Sequence, residues 1–343
     1  MPAEWDRHEG TWLTWPTNKI TWPGKMLKQV ESIYLQMISA LLTGEKVHLL
    51  VPDTAAANRV LSGLRQSRSE TSRLVFHKVK AVDTWIRDYG PIFVKRKQKL
   101  RSSKGDLAFT KWTFNAWGGK YKDLAKDNGV VDKLPYLKSF KRETIPMVLE
   151  GGSIDTNGRG FILTTEQCLL NPNRNPQLSK DEIESKIKKH LGAEHVIWLG
   201  KGIEGDDTDG HIDDITRFVA PWKVLTCLEE NGKDENCRPL ETNFTKLDKI
   251  KHPETKRKLT VGILPMPGVV KLDEERGRLP ASYANFYIGN RVVLAPVYSH
   301  ANDSKAVKIL QQCFPDRRVV PIECTPLVYG LGSIHCVTQQ QPA

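Results

Sequence analysis

Cys336 and His335 stand side by side almost at the end of a 343-residue chain, in the segment YGLGSIHCVTQQQPA. Chain ends usually fray, so a thiol, an imidazole and two glycines placed there ask for a reason. An ordinary thiol, with a pKa of about 8.5, is only a few per cent thiolate at neutral pH. As a nucleophile, Cys336 therefore calls for cationic charge close by, such as a bound guanidinium or an imidazolium. In a strand His335 would point away from it, which gives His335 a structural role. The better proton carrier is His211, in EGDDTDGHIDDITRF at 204–218, where five aspartates surround it within residues 206–214. Asp209, His211 and Asp213 form D-x-H-x-D, an alternation that aligns three side chains on one face of a strand.

Two chemistries compete for that pattern. Carboxylates and an imidazole could hold a divalent metal, as in manganese ureohydrolases. Alternatively, Asp213 holds a cation while His211 moves protons. A metal pair would want a second carboxylate-rich strand, and the chain offers no further D-x-D-x-x-D run. No cysteine pair is spaced C-x-x-C, and no Cys/His spacing resembles a zinc site. A bland reading, acidic turns on a solvated edge, fits poorly with so many acids around one histidine in a chain of net charge +11. Two further segments are dense in polar and turn residues: DTWIRDYGP at 83–91 and VLEGGSIDTNGRGFILTT at 148–165.

The elements that must position these groups read as alternating strands and helices. Apolar spacing predicts a helix over 25–43 and a buried strand over 46–51. A helix over 54–64 and a strand over 73–79 follow. Ser179 with Glu182 forms a capping box that opens a helix over 179–192, and 195–200 is the strand after it. Residues 283–298 read as a hairpin turning at Gly289-Asn290. A helix over 303–314 precedes a strand over 318–324. The alternation implies an α/β or mixed α+β class in one continuous domain, 1–343. No internal repeat, dinucleotide-binding glycine pattern or phosphate loop is visible.

Composition narrows the class. At 39% hydrophobic and 27% charged residues the chain is globular rather than disordered. No apolar run reaches the roughly 20 residues of a membrane helix, and MPAEWDRHEG has no signal-peptide core. Six sparse cysteines read as reduced thiols, so a cytoplasmic protein is expected. The basic excess sits largely in 95–104 and 246–258, both read as solvated loops or turns. Neither interleaves aromatics for stacking on bases, so no dedicated nucleic-acid partner is expected.

Taken together, the segments resemble the agmatine deiminases and their neighbours, the Porphyromonas-type peptidylarginine deiminases, within the guanidine-modifying superfamily. The resemblance runs through PAEWDRHEGTWLTWP (2–16), DTWIRDYGP, FNAWGGKY (114–121), LEGGSIDTNGRGFILTTEQCLLNPNRNP (149–176), GDDTDGHIDD (205–214), LPASYANFYI (279–288) and SIHCVTQQQP (333–342). It implies a five-bladed pseudo-symmetric α/β propeller of ββαβ units, whose last segment closes the fold and carries the nucleophile into its centre. By position it implies Cys336 as nucleophile and His211 as general acid and base. Asp88 and Asp213 match the carboxylates that grip a guanidinium, and Glu150 the glutamate near the catalytic histidine. Trp85 matches the tryptophan along the substrate's alkyl chain. Asn285 and Trp117 border the site, and Asp209 is carried as a further substrate contact. No cofactor and no metal are implied, and a homodimer is left open.

The implied reaction is hydrolysis of agmatine to N-carbamoylputrescine and ammonia through a covalent cysteine thiouronium, on the way to putrescine. Alternatives are free or peptidyl arginine deimination, a metal-dependent ureohydrolase, and a non-catalytic nucleic-acid-binding protein. Glu204, Asp206, Asp207 and Asp209 predict an acidic mouth that favours an ammonium over a carboxylate. Arg87, beside Asp88, is expected to point away from substrate. Leu331 stands where family members often carry a small residue, at the mouth.

Overall fold

The computed structural model describes residues 1–96, 107–274 and 276–343. Among these, the strands form five sheets. Four of them share one pattern: a first strand antiparallel to a second, which runs parallel to a third. They are Ile92–Lys95, Leu107–Thr113 and Lys141–Val148; Asp155–Thr156, Phe161–Thr165 and His195–Leu199; Thr216–Ala220, Lys223–Leu228 and Thr260–Pro265; and Tyr287–Ile288, Val292–Val297 and Arg318–Glu323. A parallel pair needs a crossover. Helices Lys180–Leu191, Cys237–Asp248 and Asp303–Cys313 supply three of these. The repeat that the residues hide is thus present in the strand pairing.

The remaining sheet joins the two ends of the chain. Thr338–Pro342 pairs antiparallel with His8–Thr14, which runs parallel to Lys46–Val51, which runs parallel to Leu74–Lys78. The three consecutive glutamines of the last strand are buried, and each is hydrogen-bonded. Gln339 donates to the Pro91 carbonyl at 2.9 Å, Gln340 accepts from Arg87 at 2.8 Å, and Gln341 accepts from the Trp12 indole at 2.9 Å. Buried amides without such partners would each cost about 1–3 kcal/mol. This end is held, so Cys336 sits on a fixed segment.

Local signals account for most of the helices. Met26–Leu42 buries Val30, Ile33, Tyr34, Met37, Ile38 and Leu41, the spacing of one helical face. Ser179 and Glu182 form the expected capping box, and the helix stops at Gly192 with φ 68°, a conformation glycine adopts without penalty. The hairpin is shorter than the sequence suggests: only Tyr287–Ile288 and Val292–Val297 are strands. Its Asn290 accepts from the His8 amide at 2.8 Å and donates to the His8 carbonyl at 2.9 Å. The turn thereby pins the first strand. Much of the basic stretch 95–104 lies outside the described residues. The stretch 246–258 is not all loop, because the helix Cys237–Asp248 runs into it.

Candidate active site

Five segments far apart in sequence meet at one buried floor. Asp88 comes from the short helix Ile86–Tyr89. Glu150 and Gly152 come from the turn after Lys141–Val148, and His211 and Asp213 from the bend before Thr216–Ala220. Asn285 precedes the hairpin, and Cys336 precedes the last strand. Above the floor opens a cavity of about 820 Å³ whose walls include Trp85, Asp88, Trp117, Tyr121, Leu331, Gly332 and Cys336. A second cavity of about 830 Å³ lies elsewhere, lined by Arg7, Lys95 and Lys141, and none of the candidate residues borders it.

The glycines near the C-terminus make room for aromatic walls. A Cβ on Gly332 would lie 2.4 Å from Trp85 Cζ3, and one on Gly330 2.7 Å from Trp22 Cζ2. Gly152 has a sharper role. A Cβ there would lie 2.6 Å from His211 Nδ1, 3.0 Å from Asp88 Oδ1 and 3.1 Å from Asp213 Oδ2. Three ionisable side chains therefore converge on one small space that only glycine leaves open.

Asp88 is aimed by two donors: the Trp117 indole at 2.9 Å on one oxygen and the Gly152 amide at 3.0 Å on the other. Trp117 reaches it from a strained turn in which Ala116 and Trp117 both have positive φ, 55° and 53°. Such a conformation costs a non-glycine residue roughly 1–2 kcal/mol, and it is maintained here beside the cavity. Burial, opposed by His211 and reinforced by Asp213 and Glu150, raises the Asp88 pKa to about 6.

Asp213 behaves oppositely. Burial alone would raise its pKa, but the bond and charge of His335, then the charges of His211 and Arg217, hold it below the usual carboxylate value. His335 Nδ1 lies 2.6 Å from Asp213 Oδ2, while Asp213 Oδ1 is buried with no partner. At Cys336 the signs are adverse to a thiolate. Burial, then the charges of Asp213, Asp214 and Asp88, push the thiol pKa well up. The sulfur receives the Asn285 amide at 3.2 Å. At His211, burial disfavours charge, but Asp88, then the neighbouring Cys168 and Asp213, outweigh it and the pKa lies well above the usual value. Its Nδ1 is 3.9 Å from Asp88 Oδ1, and its Nε2 has no partner. The floor thus pairs a neutral thiol with an imidazolium, a ready proton donor.

Several sequence expectations change at this level. D-x-H-x-D is not a strand. Asp209 and Gly210 both have positive φ, 66° and 89°, and Ile212–Asp214 is a single 3₁₀ turn. The bend carries His211 and Asp213 to the floor and sends Asp209 elsewhere, onto Arg174 at 2.7 Å and Lys120 at 2.8 Å. His335 also lies outside a strand and does not turn away from the site, because it shares Asp213 Oδ2 with the Cys336 sulfur, 4.0 Å from that oxygen. Around the free thiol the charges of Asp213, Asp214 and Asp88 dominate. The mouth is not acidic either: of the four acids named from sequence only Asp207 lines the cavity, whereas Lys19, Lys80, Lys122, Lys126 and Arg276 do. Arg87 does turn away, donating to the His335 carbonyl at 3.2 Å and to Gln340.

Other members of the site carry no sequence signal of their own. Arg174, fully buried, holds Glu150 at 2.6 Å. Cys168 lies with Glu150 and His211 in a group whose ligating atoms fall within 4.8 Å of one another, as Asp213, Asp214 and Cys336 do. Both groups have donors suited to a metal, but both lie inside the same floor, the first including His211 and the second Cys336.

The model of the Porphyromonas-type peptidyl-arginine deiminases matches residues 1–342. The chain belongs to that family. It is 35% identical to the agmatine deiminase of Ectopseudomonas mendocina, over 100% of this chain and 95% of that one. It superposes on the agmatine deiminase of Enterococcus faecalis with a TM-score of 0.87 at 32% identity, covering 100% and 95% of the two chains. An amidinotransferase of Microseira wollei, SxtG, shares the fold at 13% identity and a TM-score of 0.55. The α/β fold is therefore shared with that amidinotransferase. Among the described residues no helix is long and apolar enough to cross a membrane.

Proposed function

We propose that this protein is an agmatine deiminase, hydrolysing agmatine to N-carbamoylputrescine and ammonia. The observation that carries the reading is the charge of the floor. Asp213 keeps a buried oxygen without a partner, Asp88 faces the same space across Gly152, and burial together with the charges of Asp213, Asp214 and Asp88 pushes the Cys336 thiol up. A planar cation placed there satisfies all three. Two carboxylates fix the plane of a guanidinium through paired N–H bonds, and Trp85 and Trp117 wall the slot for its alkyl chain.

Binding then changes the thiol. The guanidinium offsets Asp88 and Asp213, so Cys336 gives up its proton to solvent in the cavity it lines more readily beside substrate than alone. The thiolate attacks the guanidinium carbon and gives a tetrahedral adduct. His211 donates a proton to the departing nitrogen, the C–N bond breaks, and ammonia leaves. A cationic thiouronium remains on Cys336. Neutral His211 next takes a proton from water as its oxygen attacks that carbon. Collapse breaks the C–S bond, releases the ureido product and returns the thiol. Glu150, clamped by Arg174, lies close to His211, their ligating atoms within 4.8 Å of each other. Asn285 holds the sulfur.

The five sheets read as blades of a pseudo-symmetric propeller, with the floor at its centre and residues 1–343 as one catalytic domain. Agmatine as substrate makes this a step toward putrescine. Six free cysteines suit the cytoplasm. One observation favours a second reading. The cations at the mouth, Arg276 among them, would accept the carboxylate of arginine or of an arginine peptide. Ammonia release measured side by side with agmatine, arginine and an arginine peptide separates the two. A kcat/KM for agmatine at least about a hundredfold higher supports the first, a difference of roughly 2.7 kcal/mol. Equal values favour the second.

A further inference from the structure

Glu4 belongs to the other end of the chain from Cys336, yet it is buried, 4% exposed, behind the same floor. Its Oε2 lies 2.8 Å from His335 Nε2. Its Oε1 accepts the Ile288 amide at 2.9 Å and lies 2.9 Å from Arg217 Nη2. The opposite ring nitrogen of His335 is the one bonded to Asp213. A carboxylate, an imidazole and a second carboxylate therefore form one line from the N-terminal segment to the group that faces substrate. With a carboxylate oxygen on each ring nitrogen, both nitrogens must donate while both acids are ionised.

We propose that Glu4 is a positioning residue of the deimination reaction: it clamps His335 from behind, and through it fixes which oxygen of Asp213 is occupied and which is left for the guanidinium. The inference rests on the deiminase reading above. Glu4 touches no substrate, since His335 lies between. The surroundings suit a fixed clamp. Arg217 is anchored by Asp155 at 3.0 Å and by the Phe286 carbonyl at 2.8 Å. Arg87, 3.5 Å from Glu4, is anchored by Gln340. His8 Nε2 bonds the Glu4 carbonyl at 2.8 Å. Nothing in this cluster reaches the cavity, whereas the line through His335 ends on a carboxylate 4.0 Å from the Cys336 sulfur. A carboxylate free to rotate would offer the substrate either oxygen at random, and misorientation of a gripping group is felt strongly in the rate.

The test is a double-mutant cycle on kcat/KM for agmatine, with Glu4→Gln, His335→Gln and the pair. Glu4→Gln alone should lower kcat/KM by about tenfold or more, the scale of one lost charge-assisted bond. In the His335→Gln background the same change should cost less than about threefold. A folded Glu4→Gln enzyme with full kcat/KM, or an equal loss in both backgrounds, overturns the proposal. If Glu4→Gln does not fold, ¹⁵N-histidine NMR of the unaltered enzyme decides. Two protonated ring nitrogens on His335 at neutral pH support the clamp, and one bare nitrogen overturns it. That measurement is independent of substrate, so a protein that turns over no guanidine would sink the deiminase reading and leave the clamp to be judged on its own.

Discussion

The Cys336 sulfur stands 4.0 Å from an oxygen of Asp213, so the nucleophile is pressed against a negative charge until substrate arrives. The thiol is therefore neutral in the free enzyme. Iodoacetamide should label it slowly at pH 7, and the rate should climb with pH to beyond pH 9, above the ordinary thiol range. Agmatine should protect it. Cys336→Ala, Cys336→Ser and His211→Ala should each abolish turnover and leave the unfolding transition in place. A fast-labelling Cys336 with a low pKa would contradict the charge arrangement.

Asp88 sets the acid side of the pH profile. Its carboxyl is raised to about 6, so it is protonated below that pH and ionised above it. The guanidinium needs the ionised form. kcat/KM for agmatine should therefore fall about tenfold per pH unit below about 6. Bound cation stabilises the carboxylate, so the same limb in kcat should lie at lower pH. A flat profile between pH 5 and 7 would remove Asp88 from the grip.

Gly152 leaves no space for even one methyl group, since its Cβ would sit 2.6 Å from His211 Nδ1. Gly152→Ala should lower kcat on the order of a hundredfold. Overpacking should cost about 1–3 kcal/mol in denaturant unfolding. An active Gly152→Ala enzyme would mean that the three side chains do not close on this space during catalysis.

The mouth predicts an inverted salt dependence. Lys19, Lys80, Lys122, Lys126 and Arg276 outnumber Asp88, Asp123 and Asp207 around the cavity, and the whole chain carries +11. A dicationic substrate is repelled before it reaches the floor. Raising salt from about 10 to 150 mM shortens the screening length from about 30 to about 8 Å, and kcat/KM for agmatine should rise. A fall would indicate the acidic mouth that the sequence suggests.

Much of this was legible before the structure. The helices at 26–42 and 180–191 announce themselves by apolar spacing and by the Ser179–Glu182 cap, because those signals are local. The motifs name Cys336, His211, Asp88, Asp213 and Glu150, and the fold brings their side chains together. What failed was geometry set by single backbone angles: positive φ at Asp209 and Gly210 bends D-x-H-x-D off any strand. Charge around the mouth failed for a related reason, since Lys80, Lys122 and Arg276 meet there only after folding. Glu4 was invisible because its partner is 331 positions away, and no periodicity records a buried ion bridge of that length.

The covalent intermediate is the most direct test of the account. Enzyme mixed with agmatine should be acid-quenched within a turnover, digested, and its peptides weighed. The peptide bearing Cys336 should carry the mass of agmatine less one ammonia, and activity should survive dialysis against EDTA. Ammonia formed with no adduct on Cys336, or urea as the product together with a metal whose removal stops turnover, would contradict it.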